Sequence, residues 1–390
     1  MTRQAARGGA DEVGLISADS HVIEPPDLWT RRVDRRFRER APRIVKEVGG
    51  VAGDFFVCED LAPFDVSGFA LAGIDPQEFR AHGNRGYAGV PAGAWDPAER
   101  LADMASDGVV AEVIYTSLGL SLYGIEDGEL RNASFRAYND WLAEFCSHDP
   151  KRFAGIALIP MDEVSQAVAE LQRAAKLGLR GGLIWGVPPA ERRYHQPEWE
   201  PLWAAAQDLR LPLSLHILTS RRSSDVDTVH PMFNYPFLAD GIRRSFADLI
   251  YGGVLQRFPG LRLVSAENDV GWIAHFAQRL DHAWERYRFA DSAPRLPEPP
   301  SHYLRRQIYA TFQEDAVGVS TRAQIGLETF MWGSDYPHSD STWPRSREVV
   351  ARDFAGVPAA QQERIAALNC AELYGLDPGV QAAGVPVMRS

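Results

Sequence analysis

The chain has 390 residues, 45% hydrophobic and 24% charged, which is ample material for a large core. A formal net charge of -11 without any basic cluster argues against a nucleic-acid partner, and no apolar run is long enough to span a membrane. Cys58, Cys146 and Cys370 are too scattered for a disulfide framework or a Cys-x-x-Cys metal site, so a reducing cytoplasm is the expected compartment.

Residues 1–13 are small and polar and read as a floppy tail rather than a signal peptide. Leu15 to Val22 is a short apolar strand that ends in two metal-ligand residue types. Side chains alternate along a strand, so Asp19 and His21 are expected on one face, where a carboxylate and an imidazole suit one divalent cation. Alone, the pair reads more simply as a surface Asp and a capping His. Pro25-Pro26 stops the strand. From 25 to 97 the sequence is irregular, rich in Gly, Pro, Arg and aromatic residues. So long a connection is uncommon unless functional, and it is expected to fold as a lid over the end of the first strand. Arg80, Arg85 and Tyr87 within it read as solvated surface residues.

Regular alternation follows. Asp96 caps a helix that has Pro97 at its first position and runs to Gly108. Strands are expected over Glu112–Ser117, Phe153–Pro160, Gly181–Trp185, Leu211–Ile217, Leu261–Asn268, Ile308–Phe312 and Thr329–Asp335. Helices are expected over Asp127–His148, Glu163–Leu177, Trp199–Leu209, Tyr235–Phe258, Val270–Phe289, Ala316–Ile325 and Ser346–Phe354, with a closing helix over Ala359–Tyr374. Eight strands alternating with helices imply a parallel sheet and an α/β fold of the (β/α)8 TIM-barrel class, one domain over 14–376 followed by a tail over 377–390. A doubly wound open sheet is the alternative, but no Gly-x-Gly-x-x-Gly follows the first strand.

In such a barrel the C-terminal ends of all strands open onto one face. The polar ends are Asp19 and His21 on the first strand, His216 on the fifth, Glu267 on the sixth and Asp335 on the eighth. Four unpaired polar groups there would cost roughly a couple of kcal/mol each in desolvation. A shared cation would give Asp19, His21, His216 and Asp335 one common reason to be there.

These residues carry a resemblance. The stretches Asp19-Ser20-His21, Leu211-Pro212-Leu213-Ser214-Leu215-His216, Gly271-Trp272-Ile273, Gly333-Ser334-Asp335-Tyr336-Pro337-His338 and Asn369-Cys370-Ala371-Glu372-Leu373-Tyr374-Gly375 stand in an order that resembles the amidohydrolase superfamily. The likeness is to its amidohydrolase-related branch, which includes aminocarboxymuconate-semialdehyde and γ-resorcylate decarboxylases. It spans Leu15 to Leu376. It implies that Asp19, His21, His216 and Asp335 bind a catalytic Zn, Mn or Fe ion, one ion or two. It also implies an ion-bound water as nucleophile, and a divalent ion can lower that water's pKa to about 7. Asp335 would be ligand and proton acceptor together.

One position departs from the decarboxylase pattern. Where those enzymes carry an acid/base His at the end of strand six, this chain reads Ser265-Ala266-Glu267-Asn268. Glu267 is then a ligand to this ion or a second one, or His338 supplies the acid/base from the loop after strand eight, or His338 only fixes that loop. The departure leads to an expectation of hydrolysis: an activated water cleaving an ester, thioester, lactone or amide of a small apolar or ring-bearing substrate. Asp335, His338 and Glu267 would be the catalytic groups. Non-oxidative decarboxylation, or hydration, of an aromatic or unsaturated acid is the alternative. A barrel that has lost its chemistry and only binds is a further rival. The partner is a small molecule, and a homodimer is compatible with the chain.

Overall fold

The computed structural model describes residues 14–59, 61–83, 85–220, 232 and 235–379. The tail expected over 1–13, and residues 380–390 of the tail expected at the C-terminus, lie outside the described residues. The strands are β1 (Leu15–Val22), β2 (Arg43–Val48), β3 (Val51–Val57), β4 (Phe64–Asp65), β5 (Val109–Thr116), β6 (Phe153–Leu158), β7 (Gly181–Ile184), β8 (Leu213–His216), β9 (Leu263–Ala266), β10 (Ile308–Phe312) and β11 (Phe330–Trp332). Eight of them form one parallel sheet in the order β1-β5-β6-β7-β8-β9-β10-β11, with helices between them. Every residue of β6 to β9 is buried, as expected for strands covered on both faces.

The barrel closes where β11 meets β1, and it closes through bonds beyond the regular ladder. The backbone N–H of Asp335 donates to the Asp19 carbonyl at 2.8 Å, and that of His21 donates to the Tyr336 carbonyl at 2.6 Å. Beneath them the hydroxyls of Ser17, Ser20 and Ser334 lie 2.8–3.1 Å from one another, and the Ser334 N–H donates to Ser17 Oγ. Glycine is required at this seam: a Cβ on Gly333 would stand 2.7 Å from Asp19 Cβ and 2.9 Å from its backbone nitrogen. In β1 the pairing with β5 slips between Ser17 and Ser20, an irregularity that encloses Asp19 and comes directly before His21.

The expected alternation is observed, with several differences. The helix Pro97–Asp107 ends at Gly108 with φ +76°, so β5 starts at Val109 rather than Glu112. The helix expected over Tyr235–Phe258 is two helices, Leu238–Tyr251 and Val254–Arg257, parted at Gly252-Gly253, where Gly253 has φ +71°. A helix at Pro300–Gln307 is additional; Pro300 stands at its first position, where a missing N–H costs nothing. The stretch from 25 to 97 is more ordered than its composition suggests. It contains the helix Leu28–Arg32, several 3-10 turns and the antiparallel sheet β2-β3-β4, with the Phe56 and Phe64 rings packed against each other across it, tilted by 31° at 5.2 Å.

Gly333→Ala should lower the melting temperature by at least about 2 °C. It forces a methyl into backbone rather than into a movable side chain, an overpacking cost of about 1–3 kcal/mol. An unchanged melting curve would mean that the seam is looser than described.

Candidate metal centre

The polar strand ends converge on one point of the barrel mouth. Asp19, His21, His216 and Asp335 are fully buried, and the Glu267 side chain is 16% exposed. One donor atom each from Asp19, His21 and His216 lies within 4.8 Å of the others, and so does one each from His21, Glu267, Asp335 and His338. His21 belongs to both groups, so the two form one cluster.

Both imidazoles are held in one tautomer by backbone. His21 Nδ1 is 2.8 Å from the Thr116 carbonyl, and His216 Nδ1 is 2.9 Å from the Ile217 carbonyl. A carbonyl only accepts, so each Nδ1 carries the proton and each Nε2 presents a lone pair inward. Burial pushes the His216 pKa down to about 4 and that of His21 well below its ordinary value, which keeps both rings neutral.

The inward lone pairs face oxygens. His21 Nε2 lies 3.6 Å from Asp19 Oδ1, 3.5 Å from Asp335 Oδ1 and 3.7 Å from Glu267 Oε2. His216 Nε2 lies 3.1 Å from Glu267 Oε2 and 3.9 Å from Asp19 Oδ1. None of these contacts is a hydrogen bond: Asp19 Oδ1, both Nε2 atoms and both Asp335 oxygens are buried without a hydrogen-bond partner. Burial and mutual repulsion push the carboxyl pKa values of Glu267 and Asp335 well up, and burial raises that of Asp19 against the opposing pull of His216. Ligands bonded at about 2.1 Å to one ion stand about 3 Å or a little more apart, which is the spacing seen here. The donor set therefore fits a divalent cation, and it mixes imidazole with carboxylate in the way Mn, Fe and Zn accept.

Glu267 and Asp335 reach this point from just outside their strands. β9 ends at Ala266 and β11 at Trp332, not at Asn268 and Asp335 as the sequence suggested. Both acids have left-handed backbone, φ +55° and +56°, unusual for residues other than Gly and Asn. His338 follows one turn later. Its Nδ1 is 3.0 Å from Asp335 Oδ1, its Nε2 is 2.8 Å from Ser117 Oγ, and its ring lies 4.0 Å from that of His21. Burial lowers its pKa to about 4. Beside Glu267 a cavity of about 300 Å³ opens, lined by Asn268, Asp269, Trp272, Tyr235 and Asp340 among others.

Sequence reasoning missed three residues here. Thr311, on β10, donates from its hydroxyl to Asp19 Oδ2 at 2.6 Å and accepts the Glu267 N–H at 2.8 Å. Ser117 holds His338. Tyr115 packs its ring 5.3 Å from that of His216 and 5.9 Å from that of His21. Only position past a strand or inside one could have marked them, since Thr, Ser and Tyr are common in strands. Tyr87, read as a surface residue, is instead half-buried and donates to the Glu24 carbonyl at 2.6 Å; Arg80 and Arg85 are exposed as expected.

Known proteins resemble this chain in sequence and in fold. A family model described as amidohydrolase matches residues 29–376. A γ-resorcylate decarboxylase of Rhodococcus jostii is 27% identical over 264 residues, 62% of this chain and 76% of that one. The solved structure of an amidohydrolase from Mycobacterium avium subsp. paratuberculosis superposes with a TM-score of 0.77 at 21% identity, covering 94% of this chain and 100% of that one. A 5-carboxyvanillate decarboxylase of Novosphingobium aromaticivorans, solved with manganese and 4-hydroxy-3-methoxy-5-nitrobenzoic acid, gives 0.67 at 18% identity over 96% and 100%. At these identities the two structures speak for the fold. The relatives overturn the expectation of acyl-bond hydrolysis: those named γ-resorcylate decarboxylase and 2-amino-3-carboxymuconate-6-semialdehyde decarboxylase favour the decarboxylation alternative. The departure at Glu267 is thus no sign of hydrolysis.

Thr311→Val keeps the shape but removes a donor from Asp19 and an acceptor from the Glu267 N–H. It should weaken retention of a divalent cation about tenfold or more, read as metal content after dialysis. Retention equal to wild type would mean that Asp19 is oriented by something other than Thr311.

Proposed function

Starting from a chain that belongs to the amidohydrolase family, we propose a metal-dependent, non-oxidative decarboxylase acting on a small aromatic or unsaturated carboxylic acid. The observation that carries the metal dependence is the set of neutral Nε2 lone pairs facing buried carboxylate oxygens at 3.1–3.9 Å; the choice of decarboxylation rests on the relatives. Its supports beyond the chain are the decarboxylase relatives, one of them solved with manganese.

Asp19, His21, His216 and Asp335 would hold the ion, with Glu267 as a further ligand through Oε2. When bound, the ion supplies the positive charge that holds a substrate carboxylate beside a neighbouring oxygen and offsets the acids around it. The chain's own groups handle the proton. Asp335 is fully buried among acids and keeps its proton more readily than an exposed Asp would. It gives that proton to the carbon that bears the carboxylate. The C–C bond to the carboxylate then breaks, its electron pair returns to the π system, and CO2 leaves. The partly exposed His338 side chain takes a proton from solvent and passes one from Nδ1, 3.0 Å from Asp335 Oδ1, to Asp335, ending neutral again, and Ser117 holds the ring for that transfer.

Residues 14–376 act as one catalytic domain in this reading, with 25–97 as a lid. The lid's support is its contact with the loop after β11: the Ala72 N–H donates to the Pro337 carbonyl at 3.0 Å, and the Phe69 ring lies 6.0 Å from that of His338. Phe69→Ala should accordingly raise KM more than it reduces metal content. The reverse order would make the segment a brace for the metal and not a cover for substrate.

Two substitutions separate the roles of the acids. Glu267→Gln removes charge from the ligand set and should weaken Mn2+ affinity at least roughly tenfold, or about 1.4 kcal/mol. Affinity within twofold of wild type would leave Glu267 outside the ligand set. His338→Asn should keep the metal and lower kcat by about a hundredfold or more; near-wild-type turnover would leave His338 structural. The activity itself is read as CO2 release, with solvent deuterium entering the product at the vacated carbon, when Mn2+-loaded protein meets hydroxybenzoates and unsaturated acids. Loss of that release after chelation, and its return with Mn2+, is expected. Metal-loaded protein that releases no CO2 from any of these acids overturns the reading.

A further inference from the structure

Glu24 stands three residues beyond His21, is fully buried, and belongs to none of the groups that face the candidate metal. An ionised carboxylate is costly to bury, so its partners carry the information. All its side-chain bonds go to one short segment that leaves β5. The Thr116 hydroxyl and the Gly119 N–H (3.1 Å) donate to Oε1, and the Leu118 N–H (3.0 Å) donates to Oε2. The same segment faces the metal cluster on its other side. The Thr116 carbonyl fixes His21 Nδ1, and Ser117 Oγ meets His338 Nε2, each at 2.8 Å.

We infer that Glu24 is a positioning residue for the metal centre, acting on His21 and His338 through the segment from Thr116 to Gly119. The inference rests on the proposed metal site and adds a residue that touches neither ion nor substrate. Two further features fit it. Gly119 lacks the Cβ that would run into Thr116 Oγ1, so the segment can fold tightly enough to present three donors to one carboxylate. Tyr87, from the segment over 25–97, donates to the Glu24 carbonyl at 2.6 Å and fixes the carboxylate's own backbone. The path is therefore continuous from lid through Glu24 to the tautomer of His21. A carboxylate suits the place better than an amide. Each of its oxygens takes a separate backbone N–H, whereas a Gln would turn its own NH2 against one of them.

The test is Mn2+ affinity of the full chain, measured by electron paramagnetic resonance titration, beside melting curves in excess chelator. Glu24→Gln should fold and bind Mn2+ at least tenfold more weakly, the size of loss typical when a ligand's supporting partner is removed. Thr116→Val, which removes the hydroxyl but keeps the carbonyl that holds His21, should weaken Mn2+ binding by a smaller factor, about threefold to tenfold. This variant also carries the test if Glu24→Gln does not fold. A lower melting temperature in chelator with Mn2+ affinity within twofold of wild type, in whichever of the two variants folds, would make Glu24 a brace of the fold alone and overturn the inference. Wild-type protein that binds Mn2+ but releases no CO2 would sink the decarboxylase reading and leave this comparison intact.

Discussion

Two backbone hydrogen bonds across the β11–β1 seam, Asp335 N–H to the Asp19 carbonyl and His21 N–H to the Tyr336 carbonyl, fix both the shape of the barrel and the geometry of its centre. A barrel must close, and the closing bonds here involve three of the residues whose side chains meet at the mouth. Closure and ligand placement are therefore one constraint. The support below the seam is polar rather than oily. Arg100 is buried in an ion pair with Glu112 at 2.6 Å, donates to the His21 carbonyl at 2.8 Å, and lies over the Tyr336 ring at 4.5 Å. Ser20 donates to the same Glu112. A buried ion pair is a weak source of stability. Here its effect is directional, because it pins the carbonyl of a residue whose ring must point inward.

The same economy governs the imidazoles. Each Nδ1 is committed to a carbonyl at or next to the end of a strand, so each Nε2 has no freedom to become a donor without gaining a proton. Burial opposes that proton. Bringing two such lone pairs against carboxylates would be unfavourable in any protein whose only aim was to fold. That cost is the sign that the site is built for a group of opposite charge.

The fold was legible because strand and helix periods survive in the sequence over most of the barrel. Asp19, His21 and His216 were legible because they lie on strands, where alternation fixes a face. Legibility failed where the chain leaves a strand. Glu267 and Asp335 turn inward through left-handed backbone, which no alternation rule describes. Thr311, Ser117 and Glu24 were invisible because their roles depend on partners tens to hundreds of residues away. The three-stranded sheet within 25–97 was hidden by composition: Gly and Pro punctuate it so densely that its short strands show no period. The expectation of hydrolysis failed for another reason. A ligand set for a divalent ion says which charge is bound but not which bond of the substrate breaks.

In the proposed centre, Asp19 and Glu267 together match the two positive charges of one divalent ion. The histidines are neutral, so a third ionised carboxylate would leave the buried cluster negative. Burial and neighbouring acids push the Asp335 and Glu267 carboxyls both up, so the cluster resists carrying a third negative charge. The mouth outside adds to the pressure: Asp269 is driven up to about 7 by burial and by Asp315 and Asp340. In the proposed decarboxylase a Glu at the end of strand six would help saturate the ion's charge, which favours a proton on a neighbouring acid.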